Sequence, residues 1–167
     1  LAWSLGKMIS GLGTAEFIVK FLQDMSFSAS LVPAAVFLFG AFISFSTGSS
    51  WGTFAIMMPL AIPMAHAFGI PFYIAVGAVL SGGLFGDHCS PISDTTILSS
   101  TGAGCGLVEH IKTQLPYAAV NGTIAFIAYI ITGLTGSEAA LGFAVIALIV
   151  VMAVLNRISA ARLAGKE

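Results

Sequence analysis

The chain has 167 residues, 57% hydrophobic and 8% charged, with a formal net charge of −1. A soluble domain carries about 25% charged residues, and a water-exposed fold with a mean hydropathy of +1.02 would leave too much apolar surface bare. An ordinary soluble domain is excluded in favour of an all-α integral membrane protein, and the balance of 6 basic and 7 acidic residues gives no reason to expect nucleic acid.

Cys89 and Cys105 sit in apolar or Gly-rich surroundings and make no disulfide framework. They read as small packing residues. No charged n-region precedes an apolar stretch at Leu1, so no signal peptide is read there. Residues 1–5 read as the tail of a span, which leads to the expectation that the chain is a fragment.

Residues 6–29 come first. Lys7, Glu16, Lys20 and Asp24 are mixed with a rough helical stripe of Leu12, Ala15, Phe17, Ile18, Phe21 and Leu22. The segment is expected to be an interfacial amphipathic helix, with an ordinary connecting helix as the alternative. Residues 31–68 hold two apolar arms, 31–45 and 54–68, each shorter than the roughly 20 residues needed to span. Ser46-Thr47-Gly48-Ser49-Ser50-Trp51-Gly52-Thr53 lies between them. Short arms around a Gly/Ser tip predict a re-entrant hairpin, whose irregular backbone must be covered by protein or a water-filled cavity. Two full spans joined by a polar turn are the alternative. Ser30 is placed to cap the first arm, Pro33 stands near its start, and Pro59 and Pro63 loosen the second.

Residues 71–100 read as a broken span. Pro91 has no N–H for the carbonyl of Asp87, and it pushes Ser90 away from helical angles. Residues 87–94 are therefore expected to unwind, with a second half-helix from Thr95. Residues 101–106 are a Gly-rich turn, and Glu109, His110 and Lys112 mark a water-facing connection. Spans follow at 115–134 and 139–155, then a basic tail at 156–167. Gly82 and Gly86, four apart, suit a close helix contact. Lys7 and Lys20 fall on one side of the membrane; Lys112, Arg157, Arg162 and Lys166 fall on the other. The basic excess makes that second side, with the C-terminus, cytoplasmic.

The chemistry gathers at the break. Charges at membrane depth cost about 2.5–3.5 kcal/mol each on insertion scales and persist where they bind or relay something. Unwound carbonyls and carboxylates are hard oxygen ligands, and discontinuous helices hold Na⁺ or H⁺ this way. Asp87 and Asp94 lie seven residues apart, nearly two helical turns, so even an unbroken helix would show both on one face. If they share a cavity, repulsion and burial disfavour charge on at least one of them. A carboxylate that takes up a proton under those conditions can exchange it for a cation. Na⁺ is expected on Asp87 and Asp94. Ser90, Ser93, Thr95 and Thr96 complete the shell, as do Thr47, Ser49, Ser50 and Thr53 from the tip.

Plainer roles compete. Asp94 suits a helix N-cap. Asp87 could hold a buried cation, although no Lys or Arg lies in the flanking segments. His88 reads as a proton relay, a ligand or a satisfied buried imidazole. Asp87-His88-Cys89 invites a zinc reading and with it an intramembrane metal enzyme. Adjacent side chains point apart, however, and no second His/Cys pair lies at helical spacing.

The run Gly86-Asp87-His88-Cys89-Ser90-Pro91-Ile92-Ser93-Asp94-Thr95-Thr96-Ile97-Leu98-Ser99-Ser100 resembles the signature of the NhaC family of sodium/proton antiporters. The residues 46–53 followed by Met58-Pro59-Leu60, and the run Leu12-Gly13-Thr14-Ala15-Glu16, resemble further elements of that family. The resemblance runs over about residues 1–133, and it implies that residues 1–167 are the C-terminal half of a membrane transporter domain. It implies one repeat of an inverted-repeat transporter, each repeat with a re-entrant hairpin and a broken helix. It implies Na⁺/H⁺ exchange in a multi-pass cell membrane protein, the bacterial plasma membrane being expected, with no enzymatic activity and no cofactor beyond the transported ions. Related members resemble carriers of malate, lactate or amino acids, so Na⁺- or H⁺-coupled carriage of a small organic anion or amino acid is the alternative. The partners implied are the lipid bilayer, Na⁺, H⁺ and an N-terminal half of the same transporter; a homodimer is the other way to supply a second repeat.

Overall fold

The computed structural model describes residues 2–137 and 139–164. They form eight α-helices, with no strand among the described residues: α1 (Ala2–Gly11), α2 (Thr14–Asp24), α3 (Val32–Thr47), α4 (Ser50–Ala67), α5 (Phe72–Cys89), α6 (Asp94–Gly102), α7 (Leu107–Thr135) and α8 (Ala139–Ala164). A 3-10 turn, Ala29–Leu31, leads into α3. Three segments are long and apolar enough to cross a membrane: Ala29–Thr47, Phe72–Cys89 and Leu107–Thr135; Gly142–Val154 is a shorter apolar stretch.

In lipid, helices gain little from hiding apolar side chains, so close packing and small residues hold them together. The α3–α5 pair shows this. A Cβ built on Gly82 would overlap the carbonyl of Phe37, and one on Gly86 the carbonyl of Ala41. The two contacts advance together along both chains, so α3 and α5 run parallel, as the glycine spacing predicted for a close contact. The α4 helix returns alongside this pair in the opposite sense. Across α7, Gly133 meets the carbonyl of Ser30 and Gly122 meets the Phe85 ring, which makes α7 antiparallel to α3 and α5. Phe37 is the hub, with ring centroids 5.9 Å from Phe85, 6.3 Å from Phe126 and 5.6 Å from Tyr129. Val32, Val36, Ala61, Ala65, Ala78 and Val79 close the core around it.

Several boundaries differ from those read in the sequence. Residues 6–29 are not one helix: Gly13, at φ +66°, separates α1 from α2. The α1 helix lies on α4, where a Cβ on Gly6 would be 2.5 Å from the oxygen of Ala55. That carbonyl is the one Pro59 leaves without its helical donor, so glycine lets another backbone approach it. In α2, Ala15, Ile18, Val19 and Leu22 turn inward, while Phe17 and Phe21 are exposed, as is Leu12 just before the helix. The inner face follows Ala15, the smallest residue of the stripe, because only a small side chain lets α2 sit close.

The hairpin arms are longer than their apolar cores: α3 has 16 residues and α4 has 18, running unbroken through Pro59 and Pro63. Ser30 does not cap α3. It lies inside the 3-10 turn, and Leu31 holds the cap position with no side-chain bond. Glu109, His110 and Lys112 belong to the first turns of α7 rather than to a connection. Gly106 is extended there, and an acidic residue in the first turn favours the helix start. Glu109 and Lys112 pair at 3.7 Å on the surface. The α8 helix continues through 156–164, where the basic tail was expected; residues 165–167 of that tail lie outside the described residues.

Candidate functional site

The break is narrower than 87–94. The α5 helix carries Asp87 in its last turn and ends at Cys89; α6 starts at Asp94. Only residues 90–93 leave the helix. Pro91 cannot donate to the carbonyl of Asp87, and Ser90 N–H does so instead at 3.1 Å. Ser90 and Ser93 are extended, at ψ 127° and 132°, as the residue before a proline and a helix N-cap require. Ser90 Oγ accepts from Ile92 N–H at 3.4 Å. Ser93 caps α6, its Oγ accepting from Thr96 N–H at 3.3 Å. The cap is therefore Ser93, and Asp94 is the first helical residue.

The hairpin tip reaches this break. Gly48 ends α3 at φ +67°, its N–H bonded to the carbonyl of Ser44 at 2.8 Å. A Cβ on Gly48 would be 2.6 Å from the oxygen of Ile92. Glycine is needed twice, for the left-handed angle and for the space. Ser49 caps α4 by accepting from Gly52 N–H at 3.3 Å, which carries Ser50 over the break.

At their meeting point is Asp87, 1% exposed. Ser93 Oγ donates to its Oδ1 at 2.8 Å and Thr95 Oγ1 to its Oδ2 at 2.9 Å. Ser50 Oγ reaches Oδ2 from the tip at 3.5 Å. Ser93 Oγ and Thr95 Oγ1 are themselves 2.7 Å apart. Asp87, Ser93 and Thr95 thus form a closed triangle of oxygens, with Ser50 outside it.

The other expected ligands are placed differently. Asp94 is exposed, its Oδ1 accepting from Thr95 N–H at 2.8 Å, so the two carboxylates do not share one enclosure. Ser90 and Thr96 are buried; Ser90 Oγ serves the turn, and Thr96 Oγ1 has no partner. Thr53 is buried but returns its hydroxyl to the carbonyl of Ser49 at 2.9 Å. Thr47 is exposed. His88 turns away from Asp87. Its ring is exposed, and Nδ1 lies 2.8 Å from the carbonyl of Leu84. Among the described residues no group of three His, Cys, Asp or Glu side chains gathers to hold a metal. The donor set at Asp87 is one carboxylate and three hydroxyls, which suits a hard cation rather than zinc.

Two features escaped the sequence reading. Ser44, one turn before the tip, is fully buried with an unpartnered Oγ; a serine within an apolar arm was its signal. Gln114 Nε2 donates to the carbonyl of His88 at 3.1 Å, tying α7 to the end of α5. A glutamine at the edge of a span was the signal there. Behind the break, on the α7 side, is a cavity of about 640 Å³ lined by Thr95, His88 and Gln114 among others.

Comparison with protein families matches residues 1–134 to the one described as the Na⁺/H⁺ antiporter family. The chain is similar to the arginine/ornithine antiporter ArcD of Halobacterium salinarum, 33% identical over 73% of this chain and 25% of that protein. It is similar to the malate-2H⁺/Na⁺-lactate antiporter of Bacillus subtilis, 35% identical over 52% of this chain and 18% of the relative. It is also similar to the Na⁺/H⁺ antiporter NhaC of Alkalihalophilus pseudofirmus, 35% identical over 54% of this chain and 20% of the relative. The chain thus spans a quarter or less of the length of these relatives. No solved structure matches it.

Proposed function

The chain belongs to the Na⁺/H⁺ antiporter family, and from that premise we propose that Na⁺ and a proton compete at Asp87, so that the protein exchanges one for the other across the membrane. The observation that carries this reading is the oxygen triangle. Three contacts join Asp87, Ser93 and Thr95, but the two hydroxyls bring only two protons. With Asp87 ionised, both are spent on the carboxylate, and the 2.7 Å contact between Ser93 and Thr95 sets oxygen against oxygen. One further positive charge removes the conflict. A proton on Asp87 lets the ring close with each group donating once. A Na⁺ does the same by a different route: the hydroxyls turn their lone pairs inward and become ligands. One extra charge fits the ring, and two do not. Competition for a single place is the physical basis of antiport.

The remaining parts of the reading follow the same premise. The hairpin α3–α4 is re-entrant in the membrane, its tip delivering Ser50 to the break. The chain supplies one repeat, and a second, inverted repeat closes the site from the other side. The helices lie in the cell membrane with the C-terminus in the cytoplasm. Asp94 stands at the mouth of the site rather than in it. A second reading, coupled carriage of a small organic molecule, is favoured by the cavity on the far side of Thr95.

The test is exchange by the product of the whole gene in proteoliposomes. A Na⁺ gradient should drive counter-movement of protons, a choline gradient should not, and Asp87→Asn should lose the Na⁺-driven flux while inserting normally. Na⁺-independent proton movement, or full exchange in Asp87→Asn, would overturn the assignment.

A further inference from the structure

A serine or threonine within a helix commonly returns its hydroxyl to the carbonyl four residues back. Ser46 does so to Phe42, Thr53 to Ser49 and Ser81 to Gly77. Ser44 does not. It is 0% exposed, and its Oγ has no hydrogen-bond partner. A buried hydroxyl left unpaired is destabilising, so what stands opposite it matters.

The helix register settles its level. Phe37, Ala41, Ser44 and Gly48 stay within a narrow strip of α3, because residues seven apart return to nearly the same angle. Three of the four have identified neighbours. The carbonyl of Phe37 lies against Gly82, that of Ala41 against Gly86, and Gly48 against the carbonyl of Ile92. Ser44 stands between Ala41 and Gly48, so it falls at the level between Gly86 and Ile92. That stretch begins with the last turn of α5, which carries Asp87. The same turn releases another oxygen. Ser90 N–H, which would serve the carbonyl of Gly86 in a continuing helix, bonds the carbonyl of Asp87 at 3.1 Å instead. Thus α3 brings a hydroxyl, and α5 a released carbonyl, to the level of the carboxylate.

Asp87 takes its hydroxyl contacts from Ser50, Ser93 and Thr95, and Ser44 is not among them. Two oxygens that hold one cation need not bond each other. Ca²⁺, close to Na⁺ in size, takes about six to eight oxygens at about 2.3–2.6 Å, so ligands on opposite sides of such an ion stand about 5 Å apart. One carboxylate and three hydroxyls fall short of that shell. We infer that Ser44 is a further ligand of the cation that competes with the proton at Asp87, completing its shell from α3. The inference rests on the reading of Asp87 as the exchange carboxylate. It also separates the two competitors. A proton on Asp87 is held within the ring of Ser93 and Thr95, whereas Na⁺ draws on Ser44 as well.

The test uses the whole gene product, with NaCl as the probe and choline chloride as the salt control. Two readouts are taken: the half-saturating Na⁺ concentration for exchange in proteoliposomes at alkaline pH, and the Na⁺-induced rise of the thermal unfolding midpoint in detergent. Ser44→Ala should raise the Na⁺ concentration needed in both about tenfold, the equivalent of one hydrogen bond to a charged group. Its maximal exchange rate should stay within twofold of wild type. Its midpoint in choline chloride should be unchanged or higher, because an unpaired buried group is gone. Ser44→Cys keeps the size of the side chain but offers sulfur, a poor ligand for a hard cation, and should weaken Na⁺ as the alanine does. Thr132 is 1% exposed and equally unpartnered, but its neighbour Gly133 meets Ser30, at the other end of α3. Thr132→Val should leave the Na⁺ response as in wild type. Wild-type Na⁺ affinity in both Ser44 variants overturns the assignment. So does Ser44→Cys matching wild type while Ser44→Ala is weak, which makes the role one of packing, and so does an equal loss in Thr132→Val. Asp87→Asn tells the two readings apart. If it keeps exchange, the ion-site reading fails; if it loses exchange while both Ser44 variants respond to Na⁺ as wild type, only the role of Ser44 fails.

Discussion

The end of α5 and the start of α6 each carry an aspartate, and their surroundings have little in common. Asp87 is 1% exposed and surrounded by three hydroxyls from two segments. Asp94, seven residues on, is exposed and touches one backbone N–H of its neighbour. The four non-helical residues, 90–93, account for the difference. An unbroken helix would show both carboxylates on one face. The turn at 90–93 redirects the chain, so that α6 keeps Ser93 and Thr95 on Asp87 and swings Asp94 outward. A proline placed four residues after a carboxylate selects which of two acids is enclosed. Burial and donor number, more than residue type, set what each acid can do.

The largest effect should come from removing the buried charge. Asp87→Asn keeps the shape but loses two charge-assisted hydrogen bonds, each worth about 1.5–3 kcal/mol. Cation affinity should fall about 100-fold or more, on the order of 3 kcal/mol. Na⁺-driven proton flux is the readout. A variant with ordinary exchange would show that Asp87 is a structural clasp between tip and break.

Next in size is the packing that brings α5 to the tip. A side chain on Gly86 must push against the carbonyl of Ala41, and overpacking costs about 1–3 kcal/mol. Gly86→Val should lower the thermal unfolding midpoint in detergent and reduce the folded yield. Gly142, with nothing within 4 Å of its would-be Cβ, is the control, and Gly142→Ala should leave both unchanged. Equal behaviour of the two would mean that α3 and α5 are not in tight contact.

Within the ring, Thr95→Val removes one hydroxyl at nearly constant volume. The half-saturating Na⁺ concentration should rise about tenfold, the equivalent of one hydrogen bond to a charged group. Thr95→Ser should restore it. Failure of Ser to rescue would assign Thr95 a packing role instead.

Much of this was legible from the residues, for identifiable reasons. Pro91 fixes a break wherever it falls in a helix, so the site's place in the chain followed from covalent geometry. Gly82 and Gly86 announced a close helix contact by spacing alone. What could not be read was how far backbone rules bend. Pro59 and Pro63 sit inside a continuous α4, and only the packed structure shows Gly6 over the carbonyl of Ala55 that Pro59 frees. Where the candidate hydroxyls point depends on the same packing. Thr47, Ser49 and Thr53 are chemically able to bind a cation, but Ser49 and Thr53 spend their oxygens on helix caps and turns, and Thr47 faces outward. Only Ser50 of the tip reaches Asp87, and the cap at Ser49 decides that.

The smallest effect, and the sharpest test of the comparison, belongs to Asp94. Its Oδ1 accepts from Thr95 N–H, and the oxygen of an asparagine can do the same. What Asp94→Asn removes is a charge in the first turn of α6, which favours the helix by about 0.3–1 kcal/mol when exposed. Dissolved salt screens an exposed charge further. Exchange should therefore change no more than about threefold, while Asp87→Asn in the same vesicles loses it. Asp94→Leu, which also deletes the acceptor, should fall slightly lower because α6 then starts less firmly and Thr95 is held less well against Asp87. A loss in Asp94→Asn as deep as that in Asp87→Asn would mean the two acids meet around one ion during the transport cycle. The separation between them would then belong to one state of the protein and not to the mechanism.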